Sequence, residues 1–315
     1  MFKRIFLSVS RLFIVLIGIT FLSFSLMYLG PGDPAEKYLA GGDGNKGTIS
    51  EEAIQAQREK WGLDKPFLVQ YTTWLGNALR GNFGNSYSTG KPVIQELKGK
   101  IGSTVVLACA SMFVCILISI PLGVLCAYRK DGVIDNISRI ISFVGISLPS
   151  FLAALLLLYF FSVRIHVFSI TGDNGLKGLT LPMAVLAFQS AAKLTRQVRS
   201  AVLTELERPY VRGARARGVK KSRILFQHVL RNSWMPILTL IGIHFGTQLG
   251  GAAVVESIFS WQGLGQLAVS AVKTSDYILL QGIVLWLALL YLLINFLVDA
   301  SYAGLDPRVR KGAGA

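Results

Sequence analysis

The sequence predicts an all-α polytopic membrane protein with six transmembrane helices, and three observations predict it. Of the 315 residues, 52% are hydrophobic and only 16% charged, with a mean hydropathy of +0.52. A soluble domain carries about 25% charged residues. The apolar residues fall in blocks, each near the roughly 20 residues that a helix needs to cross a bilayer. Lys and Arg gather on alternate connections between the blocks, the pattern of a multi-pass protein.

The first block, 12–30, follows Lys3, Arg4 and Arg11. A basic start and an apolar run of about 18 residues resemble a signal peptide. Gly30-Pro31-Gly32-Asp33-Pro34 follows in place of a small-x-small cleavage site, so the run reads as a retained signal anchor. The other spans lie near 104–127, 138–162, 179–197, 234–256 and 279–300. Gln189 and Lys193 interrupt the fourth, His244 and Gln248 the fifth. Such groups cost little where they face a protein interface or a water-filled path. Cys109, Cys115 and Cys126 all fall in the second span and read as small packing residues.

Residues 1–30 form the N-terminal segment and first span, 31–101 a mostly helical extracytoplasmic cap, and 102–315 a five-helix core with a cytoplasmic loop at 198–233. In the cap, nine basic and eight acidic residues nearly balance. There is no cysteine for a disulfide framework. Gly41 to Gly47 is a glycine-rich turn, and Thr48-Ile49-Ser50-Glu51 fits a capping box opening a short helix through Lys60. Trp61-Gly62-Leu63-Asp64-Lys65-Pro66 breaks it. A second helix follows, with Phe67, Leu68, Tyr71, Trp74, Leu75, Ala78 and Leu79 on one face. Its aromatics suit a helix at the outer membrane surface or packed on span ends. Further on, Phe259-Ser260-Trp261-Gln262-Gly263-Leu264-Gly265 after Glu256 suggests a short re-entrant element before the sixth span.

Between spans 4 and 5 lie eleven Lys or Arg residues, Lys193 to Arg231, against only Glu205 and Glu207. Arg129, Lys130 and Arg139 follow span 2, and Arg308, Arg310 and Lys311 close the chain. The short outer loops 163–178 and 257–278 hold only Arg164, Lys177 and Lys273. The positive-inside rule then places both termini and the 198–233 loop in the cytoplasm. Charge spread over an inner membrane face accounts for the +15 net charge without nucleic acid as a partner.

No catalytic constellation is present. His166, His228 and His244 lie far apart and outside any metal-ligand spacing. There is no G-x-S-x-G elbow, and Gly90-Lys91 is not a phosphate loop, with Asn85 before it and Pro92 after it. A membrane-embedded enzyme would need polar groups clustered at one depth, and none stands out. A receptor or scaffold whose basic loop holds a cytoplasmic protein is the alternative from another class.

The basic loop holds a compact helix. Pro209 starts it, Tyr210 and Val211 are apolar, Ala214 and Ala216 are small, and Gly218 ends it. Small residues rimmed by arginines make a helix able to seat in a partner's groove, with charge complementarity at its edge. Ile224, Leu225, Val229 and Leu230 then form an apolar stripe leading into span 5.

The run Tyr210-Val211-x-x-Ala214-Arg215-Ala216-x-Gly218, followed by His228-x-x-Arg231-Asn232-x-x-x-Pro236, resembles the coupling loop of permease subunits in ATP-binding-cassette importers. It is similar to the dipeptide, oligopeptide and nickel branch. Supporting matches are Pro31-Gly32-Asp33-Pro34, Gly62-Leu63-Asp64-Lys65-Pro66, Asn82-Phe83-Gly84-x-Ser86, Glu256-x-Ile258-Phe259-x-Trp261-x-Gly263-Leu264-Gly265 and Asp306-Pro307-Arg308-x-Arg310. They run in order along nearly the whole chain. In the general E-A-A-x-x-x-G form, Arg212 stands where the glutamate would be, with Gly213 and Ala214 after it.

The resemblance implies the type I importer permease fold in a bacterial cytoplasmic membrane. It implies a non-catalytic subunit forming half of a pathway with a second, homologous permease. Two ATPases would bind the ATP and Mg, so this chain holds no cofactor, and an outer binding protein would deliver cargo. Tyr210, Val211, Arg212, Gly213, Ala214, Arg215, Ala216 and Gly218 would form the ATPase-coupling element, and His244, Gln248 and Glu256 candidate path residues. Ile243-His244-x-Gly246 with Gly250-Gly251 looks closer to nickel permeases, which favours nickel as a chelate over short peptides. On that reading His244 is a transient metal contact. The other reading of His244 is a buried histidine hydrogen-bonded to a neighbour.

Overall fold

A computed structural model describes residues 2–30, 32–40, 49–168 and 175–305. The described residues form helices α1 (Phe2–Tyr28), α2 (Pro34–Leu39), α3 (Glu51–Trp61), α4 (Phe67–Leu79), α5 (Val93–Tyr128), α6 (Val133–Ser147) and α7 (Ser150–Leu158). After these come α8 (Leu176–Leu206), α9 (Pro209–Ala216), α10 (Lys221–Ile224), α11 (Leu230–Ile258), α12 (Leu264–Lys273) and α13 (Tyr277–Leu305). Wider π-turns continue α7 over Tyr159–Arg164 and join α10 to α11 over Leu225–Val229. Helices occupy the six expected stretches, the third as the broken pair α6 and α7. Three of them, Val93–Tyr128, Lys221–Ile258 and Tyr277–Val298, are long and apolar enough to cross a membrane, and α6 with α7 makes a fourth if that bent pair is one span.

The chain divides into two compact units, residues 1–104 with 262–292, and residues 105–261 with 293–315. In the first unit, α4 packs its aromatics on α1. Phe21, Phe24 and Tyr28 meet Phe67 edge to face, and Phe21 and Phe24 also meet Tyr71, with centroids 5.2–5.7 Å apart. Such pairs add to simple burial. Leu68 and Leu79, expected on the same face, are instead exposed, while Tyr71 and Trp74 are buried. The Tyr71 hydroxyl lies 3.1 Å from that of Thr20, and Gln281 of α13 donates to the Thr20 carbonyl at 2.8 Å.

Helix α3 differs in detail from the expected capping box. Ser50 is the N-cap, its hydroxyl accepting from the Ala53 amide at 3.2 Å, and the helix runs one residue further, to Trp61. Thr48 and the Gly41–Gly47 turn lie outside the described residues, as do Pro31 and Asp306 to Arg310. Gly62 ends α3 in the left-handed region at φ 70°, where a residue without Cβ is unstrained.

The Asn82-Phe83-Gly84-x-Ser86 stretch has a structural role. Gly84, at φ 82°, lets the chain pass Ile278, and the turn delivers Ser86 and Ser88 to one buried carboxylate. Asp276 Oδ2 accepts from both hydroxyls and from the Ser88 amide, and its Oδ1 accepts from the Leu279 amide in the first turn of α13. Val93, Leu97, Leu264, Ala271, Leu279 and Ile283 pack the core beside it. The irregular stretch after α11 ends at Gly263, where the ten-residue helix α12 begins ahead of α13.

The expected third span, 138–162, is not one straight helix. Helices α6 and α7 meet at 101°. Pro149 drives residue 148 out of the helical region, and Leu148 is extended at ψ 119°. Its carbonyl accepts from Gln189 of α8 at 2.8 Å. The glutamine expected to interrupt span 4 therefore satisfies a backbone group freed by the break. Glycines set the spacing of the surrounding helices. A Cβ on Gly145 would lie 2.7 Å from that of Ala192, and one on Gly123 would lie 2.8 Å from that of Val198. Close approach through small residues is the usual packing mode of membrane helices.

Gly145→Ala is expected to cost about 1–3 kcal/mol through overpacking. Gly76→Ala on α4, where a Cβ meets nothing within 4 Å, is expected to leave stability unchanged or raise it by up to about 1 kcal/mol. Thermal unfolding of the two purified variants in detergent checks the opposite signs.

Candidate functional site: the basic loop helix and the α8–α11 seam

Helix α9 is built as its sequence suggests. Pro209 occupies its first position, with no amide to waste, and Arg208 is extended before it. At the far end the Gly218 amide bonds the Arg215 carbonyl at 2.9 Å and the Val219 amide bonds that of Ala214 at 3.2 Å. Gly218 supports this closure at φ 79°.

The two faces of α9 do different things. Val211 and Ala214, three residues apart, are buried with Val198, Val202, Ile224, Leu225 and Val229 in the core of the second unit. Tyr210, Arg212, Arg215, Ala216 and Gly218 are exposed, and Gly213 is half-buried. Of the eight residues expected to couple, two therefore face their own chain and hold the helix in place. The remainder make its outer surface and edge.

A polar knot fixes the orientation of α9. Tyr210 donates to Glu205 at 2.9 Å, and the Asn232 amide donates to Glu205 at 3.3 Å and to the Tyr210 hydroxyl at 3.2 Å. Burial pushes the Tyr210 phenol above its ordinary pKa, which keeps it a donor. Lys221 donates to the Tyr128 carbonyl at the end of α5 at 2.8 Å and sits 4.5 Å over its ring. Glu205 and Asn232 carry no obvious signal as partners in the sequence, although both flank the basic loop.

Further back on α8, Arg199 grips Asp135 with two hydrogen bonds of 2.6 and 2.8 Å. Asp135 is wholly buried and also accepts from the Asp131 amide at 2.9 Å. The Arg199 guanidinium, joined by that amide and by Arg139, holds its carboxyl below the usual range against the opposing effect of burial. This pair is the kind that is weak as a net stabiliser yet costly to break.

The three candidate path residues lie on the buried side of α11. His244 Nε2 is 2.6 Å from Gln197 Oε1, an acceptor, so that nitrogen carries the proton. Gln248 donates to Ser190 at 2.9 Å, and its Oε1 has no partner among the described residues. Glu256 is wholly buried. The first two face α8, and none lines an open surface of the unit. Among the described residues no three His, Cys, Asp or Glu side chains gather as metal ligands would.

A bent, glycine-packed helical unit with a short helix presented from its basic loop defines a transport subunit of the membrane. The chain belongs to the family of binding-protein-dependent transport system inner membrane components, whose profile matches residues 119–311. The family's N-terminal profile matches residues 1–108. It is 37% identical over 306 residues to the oligopeptide transport system permease protein AppB of Bacillus subtilis, covering 94% of this chain and 95% of that protein. It is 33% identical over 308 residues to the glutathione transport system permease protein GsiC of Escherichia coli K12, covering 98% and 97%. In fold it is similar to a chain of the MetNI methionine ABC transporter, with a TM-score of 0.56 at 20% identity, covering 68% of this chain and 97% of that one. The protein is thus an ABC importer inner-membrane permease of the peptide/nickel family, a non-catalytic, multi-pass membrane component.

Asp135→Asn is expected to cost roughly 3 kcal/mol, because it leaves Arg199 partly buried without its charge partner. Adding Arg199→Gln should return part of that loss, which a double-mutant cycle of unfolding in detergent measures. The native carboxyl titrates below its unfolded value. The pair's contribution is therefore present in full above the unfolded value of about 4 and lost as pH falls through the folded one.

Proposed function

We propose that this chain forms half of the translocation pathway of an ATP-driven importer and that α9 is its ATPase-coupling element. The observation that carries the reading is the division of α9 into an anchored and a presented face. Val211 and Ala214 are held in the unit's core. Tyr210, Arg212, Arg215 and Ala216 stand outward on the same two turns. A push on the outer face therefore enters the apolar cluster to which α8 and α11 also contribute side chains.

In this reading six helices cross the bacterial cytoplasmic membrane, both termini and the 198–233 loop are cytoplasmic, and residues 31–101 form an outer cap between 1–30 and the core at 102–315. A second homologous permease completes the pathway. Two ATPases beneath bind ATP and Mg, and a binding protein delivers cargo to the cap.

For cargo we favour short peptides over nickel. Relatives over nearly the full length are an oligopeptide and a glutathione permease. The residue that suggested nickel, His244, has one ring nitrogen engaged by Gln197.

The coupling test uses Ala216→Glu with Arg212→Glu, both exposed, and leaves Gly218 intact because its left-handed backbone strains any replacement. The expected result is normal membrane insertion with loss of ATPase co-purification; ATPases that still co-purify at the wild-type level would overturn the coupling role. For cargo, a strain lacking this gene is expected to lose uptake of labelled dipeptide and to keep that of labelled nickel.

A further inference from the structure

The first unit holds a cavity of about 940 Å³, inside the size range of small-ligand sites. Its walls come from the end of α1, helices α2, α3 and α4, the 82–90 turn and the start of α13. Polar ties hold those walls apart. Asp33 before α2 pairs with Arg58 of α3, and Tyr277 donates to the Gly32 carbonyl at 3.2 Å. Gln70 of α4 donates to the carbonyls of Leu63 and Lys65 at 3.0 and 2.7 Å. The cavity is therefore set before anything enters it, which lowers the ordering cost of binding.

Three features of the lining say what fits. One wall is aromatic: Trp61 stacks on Tyr87 with centroids 4.0 Å apart, and Tyr38 meets Trp61 edge to face at 5.2 Å. Another is a polar stripe on α4, where Gln70, Thr73, Trp74 and Asn77 follow the i, i+3, i+4, i+7 spacing of one helix face. Trp74 is only 5% exposed, and its indole N–H has no acceptor among the described residues. A buried donor left unmatched is a standing cost that an incoming acceptor removes. The third feature is charge. Asp33 and Asp64 are both taken up by Arg58, which leaves Lys60 and Lys65 on the lining without an ion pair among the described residues.

An unmatched donor, two unpaired ammoniums and a bank of rings select a ligand rich in acceptors, anionic at one end and aromatic in its body. A short peptide with an aromatic side chain and a free C-terminal carboxylate has all three properties. A hydrated metal cation has none of them and meets two like charges.

We propose that this cavity is a peptide site. The Trp74 indole and the Asn77 amide bond the peptide backbone, the Trp61–Tyr87 wall takes its aromatic side chain, and Lys60 and Lys65 hold its carboxylate. The assignment rests on the permease reading for the class of cargo and deepens it by giving that cargo a place in the first unit.

The test measures binding of radiolabelled alanyl-phenylalanyl-alanine, as free acid and as C-terminal amide. The receptor is the full-length chain with its partner permease and ATPases in detergent, without the binding protein, and assembly of each variant is checked by size exclusion. Saturable binding to wild type is expected. Trp74→Phe keeps a ring and removes the indole N–H, and is expected to weaken both peptides about fivefold, the worth of one neutral hydrogen bond. Asn77→Ala, at an exposed position, serves as the second variant with the same direction. Lys60→Gln with Lys65→Gln is expected to weaken the free acid about tenfold and to leave the amide within about twofold. Wild-type affinity in all of these variants puts the peptide elsewhere and overturns the site. Equal weakening of acid and amide by the lysine changes overturns it too, since a structural defect acts on both alike. If wild type binds neither peptide the site falls, and uptake of the same peptide by the complete importer in proteoliposomes then decides the peptide reading separately.

Discussion

Four polar side chains of α8 find partners on neighbouring segments, and the second unit is arranged around those links. Gln189 reaches the carbonyl freed at Leu148, Ser190 accepts from Gln248, Gln197 meets His244 and Arg199 closes on Asp135. These four links run from α8 to the α6–α7 break, to α11 twice, and to the start of α6. Each is short-ranged and directional, so together they fix the rotation of α8 about its own axis. Between them, Gly123 and Gly145 let α5 and α6 approach to distances that no Cβ would permit. Apolar packing alone would leave such helices free to slide, because lipid tails compete with leucine on equal terms.

The loop helix inherits this order. It follows α8 after a two-residue turn, and its inner residues enter the same core as Val198 and Val202. The knot of Glu205, Tyr210 and Asn232 then joins the end of α8, the start of α9 and the first turns of α11. Rotation of α9 without rotation of α8 would break the two hydrogen bonds of Tyr210 and open a packed cluster. The proposed coupling role of α9 draws on that rigidity.

Much of this was legible in the sequence, for reasons that can be named. Apolar blocks give the helices because length and composition suffice. Pro209 and Gly218 give α9 because each has a fixed backbone preference. The broken third span had a visible cause in Pro149, which the apolar run obscured. The role of Gln189 was hidden, since its acceptor lies 41 residues away and only the bend exposes it. His244 presented both readings, a buried partner or a path contact, and its bond to Gln197 could not come from spacing on α11 alone. Val211 and Ala214 drew notice as part of a docking surface, although their three-residue spacing marks an inward face.

The carboxylate of Asp276 has a further consequence. Its two oxygens serve the 86–88 turn and the first turn of α13 at once. Neither piece can fray alone, because releasing the turn strips the buried carboxylate of three of its four donors and releasing the helix start removes the fourth. The amides of Ser88 and Leu279, 191 positions apart in the chain, therefore belong to one cooperative opening, and the start of α13 is as long-lived as the turn that clasps it. A helix end that would ordinarily be the first to melt becomes a fixed hinge post.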